Sequence, residues 1–93
     1  MQGDDFEWDD EKAAANVDKH GVSFDAARAV FNDPFAIELD DYGAADETRY
    51  RIVGMSGDRL LFVAYTYRLR RIRIISARGA EPYERRMYHE ENS

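Results

Sequence analysis

This chain of 93 residues contains two histidines, His20 and His89, two lysines and no cysteine, which leaves few groups for conventional catalysis. Without cysteine there is no thiolate nucleophile, no thiolate zinc site and no disulfide. The sequence has no glycine-rich phosphate loop, no histidine pair at metal-binding helical spacing and no nucleophile elbow. What remains is arginine, tyrosine, carboxylate, Lys19 and His20. One reaction suits that inventory. In RNA cleavage the substrate can supply its own nucleophile, the 2′-OH. The protein then provides a proton acceptor, a proton donor and positive charge for the developing phosphorane. No metal or other cofactor is expected for such a reaction.

Two clusters hold the candidates. Lys12, Asn16 and His20 are four residues apart, with Lys19 beside the last, so a helix lines them along one side. Lys19 or His20 could serve there in proton transfer. Equally, both could do no more than complement the negative end of the helix dipole, with Gly21 as the cap. The second cluster is Arg71-Ile72-Arg73-Ile74-Ile75-Ser76-Ala77-Arg78. Strict alternation along a strand puts Arg71 and Arg73 on one face, and Ile72, Ile74, Ser76 and Arg78 on the other. Arg85 and Arg86 follow, and Arg49 and Arg51 lie upstream. With Tyr50, Tyr65 and Tyr67 as stacking platforms or proton carriers, these arginines could line a groove for RNA. The alternative is a solvated sheet face whose charges discourage edge-to-edge aggregation. Glu81, Glu84, Glu90 and Glu91 are expected to solubilise the last helix, and Trp8 to lie in the core.

Charge is unevenly spread. The net charge of −6 hides a first part, residues 1–48, with 3 basic against 14 acidic side chains, a balance of −11. Residues 49–93 carry 10 arginines, no lysine and 5 acidic side chains, a balance of +5. Such asymmetry points to a charged partner, and arginine in particular suits bidentate contact with phosphate or carboxylate. The two parts could also neutralise each other within the fold. With 44% hydrophobic residues the chain can fold alone, and its length supports one domain, 1–93, ordered from about residue 6 to residue 90. No apolar run is long enough for a membrane span, and the acidic start does not resemble a signal peptide, so a cytoplasmic location is expected.

Local signals place these residues on elements. Phe6-Glu7-Trp8 is a short edge strand. Asp9 or Asp10 caps a helix that ends at Gly21, and Ser23 opens a second helix from Phe24 to Phe31, stopped at Asn32-Asp33-Pro34. Four strands follow: Phe35 to Leu39, Arg49 to Met55, Arg59 to Tyr67 and Arg71 to Ala77. A polar turn over Asp40–Glu47 separates the first two, and short turns join the rest into an antiparallel meander. Leu60-Leu61-Phe62-Val63 is apolar on both faces, so its strand is expected at the centre. Pro82 starts a last helix running to about Glu90. The order β-α-α-β-β-β-β-α defines an α+β fold with an antiparallel sheet.

Phe6-Glu7-Trp8-Asp9, the Lys12–Asn16 spacing and Lys19-His20-Gly21-Val22-Ser23-Phe24 resemble the N-terminal signature of BrnT family toxins. Arg49-Tyr50 with Ile52-Val53-Gly54, then Arg71 to Arg78, then Glu84-Arg85-Arg86-Met87-Tyr88 are similar to that family's later motifs, in the same order. The resemblance implies a RelE-like fold and a metal-independent endoribonuclease that inhibits translation as the toxin of a type II toxin–antitoxin pair. It implies a BrnA-like ribbon-helix-helix antitoxin, through which the complex binds operator DNA. Carried over by position, the functional residues are Lys19, His20, Arg49 and Arg78, with Arg85 in support. Arg71, Arg73, Arg85 and Tyr65 are the expected substrate contacts. The chain departs from many relatives at Tyr65, where they carry histidine, at Gly79, where they carry a second arginine, and at Glu81, where they carry threonine or serine. These departures leave a second function open, a catalytically idle module that binds the antitoxin as a corepressor.

Overall fold

The computed structural model describes residues 5–39 and 49–93, so the expected turn over Asp40–Glu47 lies outside the described residues. Asp9 begins α1 (Asp10–His20) by accepting the amide N–H groups of Glu11 and Lys12 on one carboxylate oxygen, at 2.8 and 3.1 Å. Gly21 ends it at a φ of 68°, a conformation glycine adopts without strain. Ser23 Oγ caps α2 (Phe24–Arg28) through the N–H of Ala26. The single helix expected from Phe24 to Phe31 is shorter: α2 tightens into a 3-10 turn over Ala29–Asn32. Pro34 restricts the residue before it, and a tightened last turn lets the chain leave the helix at Asp33.

The strands are β1 (Phe6–Glu7), β2 (Ile37–Leu39), β3 (Tyr50–Ser56), β4 (Arg59–Arg68) and β5 (Arg71–Gly79), and α3 (Pro82–Glu91) closes the chain. They form one sheet in the order β1-β5-β4-β3-β2. The order β-α-α-β-β-β-β-α is therefore as expected, with β4 at the centre. β2 to β5 are antiparallel neighbours, whereas β1 lies parallel to β5, pairing Phe6 with Ile72 and Glu7 with Arg73. Among the described residues no helix is long and apolar enough to cross a membrane.

Helices cover both faces. On one, α1, α2 and the 3-10 turn bury Trp8, Val22, Phe24, Ala27 and Val30 against Ile52, Leu61, Val63, Tyr65, Ile74 and Ala77. On the other, α3 brings Tyr88 onto Val53, Leu60 and Phe62. The 3-10 turn sits so close to β3 that a Cβ on Gly54 would stand 2.9 Å from Val30 Cγ1 and 3.0 Å from Ala36 Cβ. That approach explains the glycine in Ile52-Val53-Gly54.

One feature of β5 reassigns its side chains. Ala64 pairs with Ser76 but Tyr65 pairs with Ile74, so Ile75 is an extra residue, a β-bulge. Past the bulge the alternation slips by one. Ser76 and Arg78 therefore share the α3 face with Arg71 and Arg73, and the expected division of these residues between opposite faces is corrected.

Two further features tie the layers. The Asn16 amide donates to the Val22 and Ala77 carbonyls, both at 2.8 Å, and accepts the Ala77 N–H at 3.2 Å. Asp33 accepts the N–H groups of Phe35 and Met55 and the Tyr88 hydroxyl at 2.7 Å, joining the 3-10 turn, β3 and α3. Burial pushes Tyr88 up to about 12, and its bond to Asp33 adds to the shift.

Asn16→Ala strips three buried hydrogen bonds and leaves three main-chain groups without partners. Each orphaned group costs about 1 kcal/mol or more, so a loss of about 3 kcal/mol is expected in urea denaturation. A change below about 0.5 kcal/mol, the usual range for a surface substitution, would show that Asn16 does not clasp α1 to β5.

Candidate nucleic-acid interface

The bulge brings Arg78 onto the α3 face of the sheet with Arg71 and Arg73, and Arg51 of β3 lies on that face beside Val53, opposite Ala64. Arg85, on α3, is exposed. Arg49 is exposed just before β3. Five of the eight expected site residues, Arg49, Arg71, Arg73, Arg78 and Arg85, thus lie on β5, α3 or the start of β3.

Lys19 and His20 end α1, which packs on the opposite face. The sheet stands between them and Arg78. Asn16, in the same expected stripe, is buried in the clasp just described, whereas Lys12 and Lys19 are exposed. Arg59 reaches towards this end of α1: its guanidinium donates to the Gly21 carbonyl at 3.5 Å and sits 3.2 Å from where a Cβ on Gly79 would lie. A pocket of about 400 Å³ opens there, lined in part by Val17, Ser23, Ser56, Asp58 and Arg59.

The tyrosines do not flank the arginines. Tyr50, Tyr65 and Tyr67 stack or meet edge-on with ring centroids 5.3 to 5.9 Å apart, on the α1–α2 face. Tyr65 is 3% exposed, packs edge-on against Phe31 and donates its hydroxyl to Glu38 at 3.3 Å. Burial raises its pKa, and the Glu38 charge raises it further, so the hydroxyl stays protonated.

The arginines differ in what already holds them. Arg73 donates to Glu7 at 2.8 Å, and Arg68 lies 3.8 Å from the same carboxylate oxygen. Arg78 is held most firmly. Its two terminal nitrogens fork onto the two Glu84 oxygens at 2.9 and 3.0 Å, and its guanidinium lies 4.1 Å from the Phe62 ring centre. Glu81 stands 3.8 Å away. Glu84 itself has 0% exposure, so the expectation that it solubilises α3 is overturned. Burial pushes its carboxyl up, but the Arg78 fork and the Glu81 N–H outweigh that and hold it below its ordinary value. Arg70, Arg71, Arg85 and Arg86 make no ion pair with any described residue.

Glu7 and Glu84, the partners of Arg73 and Arg78, were not expected from the sequence. For Glu84 a signal existed. A glutamate three residues after the N-cap, with proline at the first helical position, can turn back onto the helix start, as Glu84 does to the Glu81 N–H. Among the described residues no three histidine, cysteine, aspartate or glutamate side chains gather to hold a metal ion.

Arg51, Arg71, Arg73 and Arg78 thus share one face of the sheet, and α3 beside it adds the exposed Arg85 and Arg86. Residues 8–84 match the family model described as the ribonuclease toxin, BrnT, of type II toxin–antitoxin systems. The chain belongs to that family, and with it to the ribonuclease toxins that act on RNA and are paired with an antitoxin. A comparison with curated proteins finds no match.

Glu84→Gln removes the counter-charge of a buried pair, so a loss of about 3 kcal/mol is expected at pH 7. The Glu84 carboxyl is held below its ordinary 4.5, so its contribution is complete above that value and disappears as pH falls through the folded-state value. Urea denaturation should show the gap between the two proteins narrowing as the pH drops below 4.5. A gap that holds constant down to about pH 3 would place the stabilisation elsewhere.

Proposed function

We propose that this toxin cleaves RNA without a metal, using the RNA 2′-OH as nucleophile, with the scissile phosphate on the arginine-lined face beside α3. The 2′ oxygen attacks phosphorus as its proton passes to solvent water, and the 5′ oxygen leaves with a proton taken from water, giving a cyclic 2′,3′-phosphate and a 5′-hydroxyl end. The observation that carries this reading is the convergence of Arg51, Arg71, Arg73 and Arg78 on one face after the bulge. Guanidinium groups there stabilise the charge that builds on the phosphorane, a contribution that fixed donors make without reorganising. Arg71, Arg85 and Arg86 make no ion pair with the described residues and are offered to the phosphate. Arg73 and Arg78, already paired with carboxylates, shape the face rather than add net charge to it.

Lys19 and His20 stand across the sheet from these arginines, at the end of α1. One phosphate therefore meets either the arginines of the α3 face or the α1 end with Arg59, not both. The arginine face is favoured because four arginines, Arg51, Arg71, Arg73 and Arg78, share it. In this reading Lys19, His20 and Arg49 contact RNA away from the cleaved bond, and Tyr65 supports the sheet beneath. We further propose a RelE-like topology, action on messenger RNA that halts translation, a cytoplasmic site of action, and a BrnA-like ribbon-helix-helix antitoxin through which the complex reaches operator DNA.

The test is cleavage of RNA by the purified chain in EDTA. Product ends should carry the cyclic phosphate, and 2′-deoxy substitution at the cut site should block the reaction. Arg71→Ala should slow cleavage at least tenfold, about 1.4 kcal/mol in barrier, while Lys19→Ala and His20→Ala change it less. The reverse ranking would move the reacting phosphate to the α1 end. Absence of cleavage at every dose, with tight antitoxin binding retained, would instead favour the idle corepressor.

A further inference from the structure

The tip of the β4–β5 hairpin is strained where it need not be. Arg68 pairs with Arg71, so the turn holds only two residues, Leu69 and Arg70. Both lie in the left-handed region, with φ of 51° and 69°. Asn-Gly or Asp-Gly makes such a turn comfortably, whereas leucine and arginine resist it. Leu69 is 85% exposed, more than any other large apolar side chain among the described residues, and so adds nothing to the core. Around it Arg68, Arg70, Arg71 and Arg73 fall within six residues. The nearby carboxylate, Glu7, spends one oxygen on both Arg73 and Arg68. Asp5, whose carbonyl accepts the Ile72 N–H, lies at the same end of the sheet. Arg70 and Arg71 remain without an ion-pair partner among the described residues.

We propose that this tip is a contact element for single-stranded RNA, a second binding site that holds the strand as it runs onto the arginine face. Arg70 and Arg71 fork onto phosphates, and Leu69 packs against a sugar or base edge. The strained turn is kept because these side chains bind. Clustered unpaired arginines favour a polyanion over a protein partner. The inference rests on the ribonuclease reading for its ligand and continues from the same strand: Arg71 belongs both to the tip and to the face.

The test is Leu69→Asn/Arg70→Gly, which installs the relaxed turn while removing both side chains. Its melting temperature should rise by about 4 °C. Its affinity for an uncleavable 2′-deoxy oligonucleotide should fall about tenfold, with a salt dependence shallower by about 0.7 in log–log slope, the value for one lost phosphate contact on a single strand. Arg70→Asn, which tolerates the left-handed turn, should lower affinity in the same direction without the gain of a full turn replacement. Higher stability with unchanged affinity and salt slope overturns the proposal. So does a fall in stability, since the turn would then not be strained. Unchanged oligonucleotide binding with weakened antitoxin binding assigns the tip to the protein partner and also overturns it. The two readings separate cleanly: an unsubstituted chain that binds the oligonucleotide through the tip but cuts no RNA removes the nuclease. Undiminished binding and cutting by the double variant removes the tip.

Discussion

On the α3 side of the sheet everything is arranged around one carboxylate with no exposed surface. Glu84 accepts the Arg78 fork and the Glu81 N–H, so a single side chain fixes the start of α3, the end of β5 and the link between them. A buried carboxylate is tolerated only when its partners are in place, because an unpaired charge in that position costs several kcal/mol. Arg78 in turn sits over the Phe62 ring. The pair thus sets how far α3 stands from the sheet, and so how much of the arginine face stays open beside it.

What that face contains depends on a second constraint. The extra residue Ile75 changes the parity of β5. Without the bulge, Arg78 would point towards α1 and α2, away from Arg71 and Arg73. With it, the arginines of β3 and β5 lie on one side and the tyrosines of β3 and β4 on the other, where Tyr65 packs against Phe31 in the core and Tyr50 lies partly buried beside it. The basic and aromatic residues are neighbours in sequence and opposites in space. A single inserted residue therefore does more to define the charged surface than any one arginine does.

The acidic net charge of the chain does not oppose a polyanion ligand. Several carboxylates are engaged by the fold itself: Glu7 on Arg73, Asp33 on Met55, Phe35 and Tyr88, Glu84 on Arg78, and the exposed Asp9 on the start of α1. Among the described residues, arginines without an ion-pair partner include Arg70 and Arg71 at the β4–β5 tip and Arg85 and Arg86 on α3. A long-range field of this kind acts through local patches rather than through the sum of charges.

Element types and order were legible in the sequence because they rest on local physics. Asp9, Gly21, Ser23 and Pro82 mark helix ends through their own hydrogen bonds or fixed dihedrals, and the doubly apolar Leu60–Val63 could only be a covered central strand. The ordered motifs, from Phe6 to Tyr88, likewise made the family readable. The sequence alone could not determine which residues share a face. Alternation predicts faces only while register is unbroken, and a bulge is set by the pairing of β4 with β5 across the sheet. Nor could it tell a solvating glutamate from a buried one. Glu7, Glu84 and Asn16 are polar by composition and structural by position, because their partners come from distant elements brought close only in the folded chain.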